Sequence, residues 1–180
     1  GRRYTLDDKR SGFAPGLAGP AGGRRMRSMP RVLILHVPGT NRDREVALAC
    51  KLAGGEPEIV HINQLLEGEF TLNTFQMLVL PGGFSYSDDL GGGCLWASDL
   101  LYRIGDDFRA FIAAGRPVLG ICNGFQALVK AGFLPGGVSD REVSLTHNAR
   151  GSFECRWVTL QPVSNSRCLW TKNLDEPLYC

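Results

Sequence analysis

Of all the stretches in this chain, residues 117–126 (PVLGICNGFQ) leave it the fewest ways to fold. Val118 to Ile121 is a short apolar run behind a turn residue, the pattern of a strand buried in a parallel sheet. From Gly124 to Val129 the apolar spacing becomes helical, so Cys122 falls at a strand-to-helix turn. Such a turn lifts one side chain clear of the backbone. It is the logic of the nucleophile elbow, here with cysteine in place of serine. Gly120 and Gly124, two positions to either side, remove the Cβ atoms that would collide across so tight a bend. A thiol there faces unpaired helix N–H groups and the positive end of the dipole, which favours the thiolate. From Gly-x-Cys-x-Gly alone, a buried inert cysteine fits equally well. The rest of the chain has to decide.

The elements around the elbow repeat one alternation. Arg31 to Val37 (RVLILHV) reads as a first buried strand, followed by Pro38-Gly39-Thr40-Asn41 and a helical pattern on Val46, Ala47, Ala49, Cys50 and Leu52. Asn41 suits the N-cap of that helix, and Gly54-Gly55 its stop. Pro57 to Ile62 is the next strand, with a loop to about Phe75, and Gln76 to Leu80 is a third, ending at Pro81-Gly82-Gly83-Phe84. A single helix is predicted from Trp96 to Ala114, with Leu100, Leu101, Ile104, Phe108, Phe111 and Ile112 on its apolar side and Gly115 as its stop. This alternation calls for an open, mostly parallel α/β sheet flanked by helices on both faces. Glu142 to Leu145 and Phe153 to Leu160 read as antiparallel strands around a loop.

Charge divides the chain. Residues 1–30 carry seven Lys/Arg against two Asp, whereas residues 31–180 carry thirteen Lys/Arg against sixteen Asp/Glu. The mildly acidic body has no basic stripe for nucleic acid. Residues 1–30, rich in Gly, Pro and Arg, read as a disordered leader or as a non-native extension upstream of a start at Met26 or Met29. A mitochondrial presequence is the weaker reading, because the segment has no amphipathic apolar face. Residues 31–180 form one domain, with no linker to mark a second. The six cysteines are scattered without Cys-x-x-Cys or metal-ligand spacing, which suits a reducing cytoplasm better than a disulfide scaffold. No apolar run approaches the ~20 residues of a membrane span.

In open α/β sheets, ligands bind beyond the carboxyl ends of the strands. Pro81-Gly82-Gly83 and Cys122 both fall at such ends. The glycines let backbone N–H groups approach an oxyanion, joined by the N–H of Asn123 after the nucleophile. Alone, Pro-Gly-Gly is an ordinary strand-ending turn; paired with an elbow cysteine it becomes half of an acyl-transfer site. The loop Tyr86-Ser87-Asp88-Asp89-Leu90-Gly91-Gly92-Gly93 is polar and glycine-rich. Its adjacent carboxylates read as solvated or capping groups rather than a metal pair, so no metal is assigned.

These stretches together resemble one family. PGT-N (38–41), LPGGFSYSDDLGGG (80–93), GICNGFQALVKAGFLPG (120–136) and LTHN-RGSFECRWV (145–158) are similar to the glutaminase subunit or domain of phosphoribosylformylglycinamidine synthase, a class I (triad) glutamine amidotransferase of purine synthesis. The resemblance covers nearly all of residues 31–180. Gly-x-Cys-x-Gly is general to class I, while Asn123-Gly124-Phe125-Gln126, Ser85-Tyr86 with Asp88-Asp89, and Thr146-His147-Asn148 point to this member. The fold it implies is the flavodoxin-like class I amidotransferase sheet, incomplete at its C-terminal end.

The resemblance implies that Cys122 attacks the side-chain amide of glutamine, releasing ammonia and leaving a glutamyl thioester for water to cleave. Gly83 and Asn123 would supply oxyanion N–H groups. Gly82, Phe84 and Gln126 are assigned to the substrate, with His147, Asn148 and Phe153 on the stretch that closes over it. Ammonia would pass to a separate synthetase subunit, with a small accessory subunit as a further partner. ATP and magnesium belong to the synthetase, and no cofactor is expected on this chain.

One departure matters. The family's base is a histidine in a His-x-Glu stretch near the C-terminus, and none occurs in these 180 residues. His36 and His61 lie in strands and read as structural. His147 matches a substrate position, so neither it nor Glu154 takes a triad role. The expectation is a C-terminally truncated reading frame, poorly active by itself, since the base typically contributes ~10²–10⁴-fold. Three rivals stand beside this reading: a class I amidotransferase for another acceptor, an elbow-fold cysteine hydrolase that does not use glutamine, and a non-catalytic module that binds glutamine or docks onto a synthetase.

Overall fold

The computed structural model describes residues 28–136, 141–166 and 168–180. The expected leader lies almost wholly outside them. Four parallel strands, β1 (Arg31–His36), β2 (Glu56–His61), β3 (Met77–Leu80) and β4 (Val118–Gly120), form one sheet in the order β2-β1-β3-β4. That is the start of the flavodoxin-like doubly wound order, in which the chain reverses direction between β1 and β3. Among the described residues four α-helices lie between these strands, α1 (Asp43–Leu52), α2 (Ile62–Leu66), α3 (Cys94–Tyr102) and α4 (Gly105–Ala113), and α5 (Asn123–Lys130) follows β4.

The sheet is two-sided because its inner strands are apolar at successive positions, Val32 to Leu35 in β1 and Met77 to Leu80 in β3, whereas the edge strand β2 carries Glu56 and Glu58. In β1, Leu33 and Leu35 join Leu78 and Leu80 in a large cluster with Trp96, Leu100, Phe108, Phe111, Ala127 and Leu128. Val32 and Ile34 point the other way, where with Val79 they meet Val46, Ala47 and Cys50 of α1. Successive residues thus serve opposite faces, with α3, α4 and α5 on one and α1 on the other. In the larger cluster Phe108 meets Phe133 edge-to-face at 4.6 Å between ring centroids.

Several expected boundaries move, each for a local reason. Asn41 does not cap α1: Arg42 holds the N-cap position without a side-chain hydrogen bond, and Asp43 and Glu45 supply acidic charge to the first turn. Ile62 opens α2 instead of closing β2. His61 Nδ1 accepts from the Asn63 N–H at 3.1 Å, and Gln64 Oε1 accepts from the His61 N–H at 3.0 Å. The helix predicted over 96–114 is two helices. Arg103 and Ile104 both donate their N–H to the Asp99 carbonyl, ending α3, and Phe108 then donates to the Ile104 carbonyl in α4. Leu100, Ile104, Phe108 and Phe111 keep a helical spacing across the break, which hides it. Gly105, a poor interior residue, followed by two aspartates suited to a first turn, is the signal for a new start. Glu142 to Leu145 forms no strand. Of Phe153 to Leu160, only Thr159–Leu160 (β5) forms a strand, antiparallel to Leu178–Tyr179 (β6), with Val158 and Cys180 exchanging backbone hydrogen bonds beside it. Both short strands are exposed and apart from the main sheet.

Core and surface leucine-class positions are expected to separate cleanly in unfolding experiments. Phe108→Ala removes a fully buried ring and should lower stability by about 3–5 kcal/mol. Leu48→Ala, on the 59% exposed outer side of α1, should change it by less than about 0.5 kcal/mol. Urea titration followed by circular dichroism measures both.

Candidate active site

Cys122 joins β4 to α5 with φ +51° and ψ −108°. An L-residue there is strained, at about 1–3 kcal/mol, and such strain persists only where the surroundings enforce it. Here the enforcement is visible. Ile121 donates its N–H to the Leu80 carbonyl at 3.0 Å, Gly124 donates to the Ile121 carbonyl at 2.9 Å, and Gln126 donates to the Cys122 carbonyl at 3.0 Å. A Cβ on Gly124 would lie 2.2 Å from the Leu80 carbonyl oxygen, and one on Gly120 would lie 2.6 Å from Leu128 Cδ1. Only glycines let the first turn of α5 sit so close to the end of β3. The thiol is left exposed, against the inert-cysteine alternative.

The Pro-Gly-Gly turn lies beside it. A Cβ on Gly82 would come 3.4 Å from the Cys122 Cβ, so the ends of β3 and β4 do meet. The main-chain N–H groups of Gly83 and Asn123 have no backbone acceptor among the described residues. They are free to serve an anion.

The Asn123 side chain contributes something the sequence reading missed. It is buried, at 1% exposure. Its Oδ1 accepts from the Ser85 N–H at 3.0 Å, and its Nδ2 donates to Asp88 Oδ1 at 2.8 Å and Gln126 Oε1 at 3.2 Å. One amide thereby ties the elbow to the loop after Gly83, whose Tyr86, Ser87 and Asp88 all have positive φ. Asp88 is thus an acceptor for Asn123, and no group of three or more His, Cys, Asp or Glu among the described residues is arranged for a metal. Tyr86 anchors the same loop by donating its hydroxyl to the buried Asp99 of α3. Burial first, then the hydrogen bond to Asp99 and its charge, pushes the phenol far above its ordinary range, so it stays a donor. In the sequence this loop showed itself as a polar, glycine-rich run and through the family resemblance of Ser85-Tyr86 with Asp88-Asp89, neither of which indicates these contacts.

Gln126 follows Cys122 by one helical turn and faces a cleft of about 370 Å³ lined by Gly91, Gly92, Lys130, Leu145, Thr146 and His147. His147 lines the same cleft as Gln126. Asn148 and Phe153 line a neighbouring hollow with His147, where Asn148 Nδ2 donates to the Ser152 carbonyl at 3.0 Å. Phe84 and Phe153 are 63% and 91% exposed and do not close over anything here. His36 and His61 are engaged in the fold: His36 Nδ1 lies 2.8 Å from Asp43 Oδ2, and His61 caps α2.

Comparison with known proteins agrees with this geometry. Residues 29–179 match the CobB/CobQ-like glutamine amidotransferase domain. The chain is 50% identical over 163 residues to phosphoribosylformylglycinamidine synthase subunit PurQ of Treponema denticola, covering 84% of this chain and 60% of that protein. It is 46% identical over 149 residues to the subunit of the same name from Dehalococcoides mccartyi, covering 82% and 58%. Among solved structures it resembles PurLQS from Thermotoga maritima, with TM-score 0.66 and 31% identity over 85% of this chain and 64% of that one. The chain therefore spans about three fifths of the length of these curated relatives.

Asn123→Ala is expected to strand the Ser85 N–H and the Asp88 carboxylate, costing about 1–3 kcal/mol. Hydrogen exchange at Ser85 should accelerate along with it, while exchange in β1 changes only by the global loss of stability.

Proposed function

The chain belongs to the CobB/CobQ-like glutamine amidotransferase domain family, and from that premise we propose that it is the glutamine-hydrolysing part of phosphoribosylformylglycinamidine synthase. The observation that carries this reading is the strained, exposed Cys122 set against Gly82 at the head of α5.

In the proposed reaction the Cys122 thiolate adds to the side-chain carbonyl of glutamine. The negative charge moves to the carbonyl oxygen, where the N–H groups of Gly83 and Asn123 receive it. Donors fixed in advance at the point where charge develops are worth about 10²–10³ in rate each. The C–N bond then breaks as nitrogen takes a proton from a water molecule and leaves as ammonia, and the hydroxide so formed hydrolyses the remaining glutamyl thioester to glutamate and returns the Cys122 thiolate. Gln126 and the cleft it shares with His147 would hold the amino-acid end of the substrate, with Gly82, Phe84, Asn148 and Phe153 around it. None of the three histidines is assigned the base.

The names of the relatives support the partner in the same reading. A solved relative named PurLQS supports association with a synthetase subunit, to which ammonia would pass in this reading, with a small accessory subunit as a further proposed partner. ATP and magnesium would bind to that partner, and no cofactor to this chain. Free thiols at all six cysteines fit the cytoplasm, where thiols remain reduced.

Incubation with a glutamine-like diazoketone, followed by intact-mass measurement, tests the nucleophile. One stoichiometric adduct should form on the folded chain and map to Cys122, and Cys122→Ala should abolish it. An adduct that persists in Cys122→Ala, or none on folded wild-type protein, would overturn the reading. Cys50, whose thiol burial pushes up, should stay unmodified under the same conditions.

A further inference from the structure

Three side chains from the end of β1 to the start of α1, His36, Thr40 and Asp43, form a relay of contacts that reaches the turn carrying Gly83 through Thr40. Thr40 is buried at 7% exposure. Its Oγ1 donates to the Val37 carbonyl at 2.9 Å and lies 2.8 Å from His36 Nδ1. With the hydroxyl proton on Val37, that contact requires Nδ1 to be the donor, its one N–H shared between Thr40 Oγ1 and Asp43 Oδ2, which also lies 2.8 Å away. Asp43 thus holds the His36 ring, and His36 holds the Thr40 hydroxyl.

Thr40 in turn pairs with Gly83 as an antiparallel bridge. Asn41 donates its N–H to the Gly82 carbonyl at 3.4 Å, Phe84 donates to the Gly39 carbonyl at 2.9 Å, and Tyr86 donates to the Pro38 carbonyl at 2.7 Å. The two loops touch without slack. A Cβ on Gly83 would lie 2.8 Å from Thr40 Cα, and one on Gly39 would lie 2.0 Å from the Phe84 carbonyl oxygen. The bridge occupies the acceptors of the turn and leaves the Gly83 N–H unclaimed. A shift of Thr40 must therefore shift Gly82 and Gly83 together, relative to a thiol fixed separately by α5.

We propose that Thr40, held by the His36–Asp43 pair, is a positioning residue that sets the Gly83 N–H for the oxyanion formed on Cys122. This rests on the acyl-transfer reading given above. Thr40 touches neither thiol nor substrate; it acts through the bridge.

The test compares two reactions of the same sulfur. A γ-glutamyl aryl ester acylates Cys122: the C–S bond forms, the ester C–O bond breaks, and aryloxide leaves without needing a proton, by way of a tetrahedral oxyanion. Iodoacetamide alkylates the same thiolate by direct displacement of iodide, with no oxyanion. Acylation is read by aryloxide release and alkylation by mass of the Cys122 peptide. Thr40→Val keeps the branched shape and removes the hydroxyl. It should slow acylation by about 10-fold or more, part of the ~10²–10³ that a donor supplies, while alkylation stays within about 2-fold. Thr40→Ser should restore most of the acylation rate. If Thr40→Val fails to fold, His36→Phe, which keeps a ring but loses the Nδ1 donor, should give the same split.

Wild-type acylation rates in the folded variant, a Thr40→Ser as slow as Thr40→Val, or acylation and alkylation falling in parallel would each overturn the assignment. Wild-type protein that alkylates but is never acylated would sink the acyl-transfer reading itself, and Thr40's role with it.

Discussion

The first turn of α5 lies against the end of β3 at a distance only glycine permits. Gly124 meets the Leu80 carbonyl where any Cβ would overlap it, and the rest of the site follows from that contact. With α5 fixed, Ile121 closes onto Leu80 and Cys122 has to bridge strand and helix at positive φ. The same seating brings Gly82 beside the thiol and buries Asn123, whose amide gathers the Ser85–Asp88 loop. One steric allowance thus sets nucleophile, turn and loop in a single arrangement.

Strain and support are divided between different parts of the sheet. The unfavourable backbone sits at Cys122 and in the Tyr86–Asp88 run, while the packing that offsets it lies below, in Trp96, Leu100, Phe108 and the β1 and β3 leucines. Such a division keeps polar groups at the strand ends free of competing partners. The sheet order explains why they gather there. Direction reverses between β1 and β3, so the connections that follow these neighbouring strands lead to helices on opposite faces. Pro38–Asn41 and Pro81–Phe84 begin those connections at one edge of the sheet, stitched together through Thr40 and Gly83.

Strand positions were legible because parallel strands buried on both faces are unbroken apolar runs, and Arg31–His36 and Met77–Leu80 came within a residue of expectation. The single helix over 96–114 was misread because its apolar residues hold helical spacing through the break at Ile104, and periodicity does not register a local change in ψ. Glu142 to Leu145 has a strand-like composition, yet a strand exists only where a neighbour supplies hydrogen bonds, and no described residue does so. At the site, Cys122, Gly82 and Gly83 could be named because their chemistry is local: a bend, a missing Cβ, a free N–H.

By itself the sequence determined that a cysteine stands at a strand-to-helix turn between two glycines, that Pro-Gly-Gly ends a buried strand, and that the fold is a parallel α/β sheet. These are properties of neighbouring residues, set by sterics and by the apolar period. Only the tertiary structure decided that Asn123 reaches Ser85 and Asp88, 38 and 35 residues away, and that Thr40 locks against Gly83. Those contacts depend on strand order, which brings distant loops to one edge of the sheet. A hydrogen bond between them leaves no periodic trace in the chain.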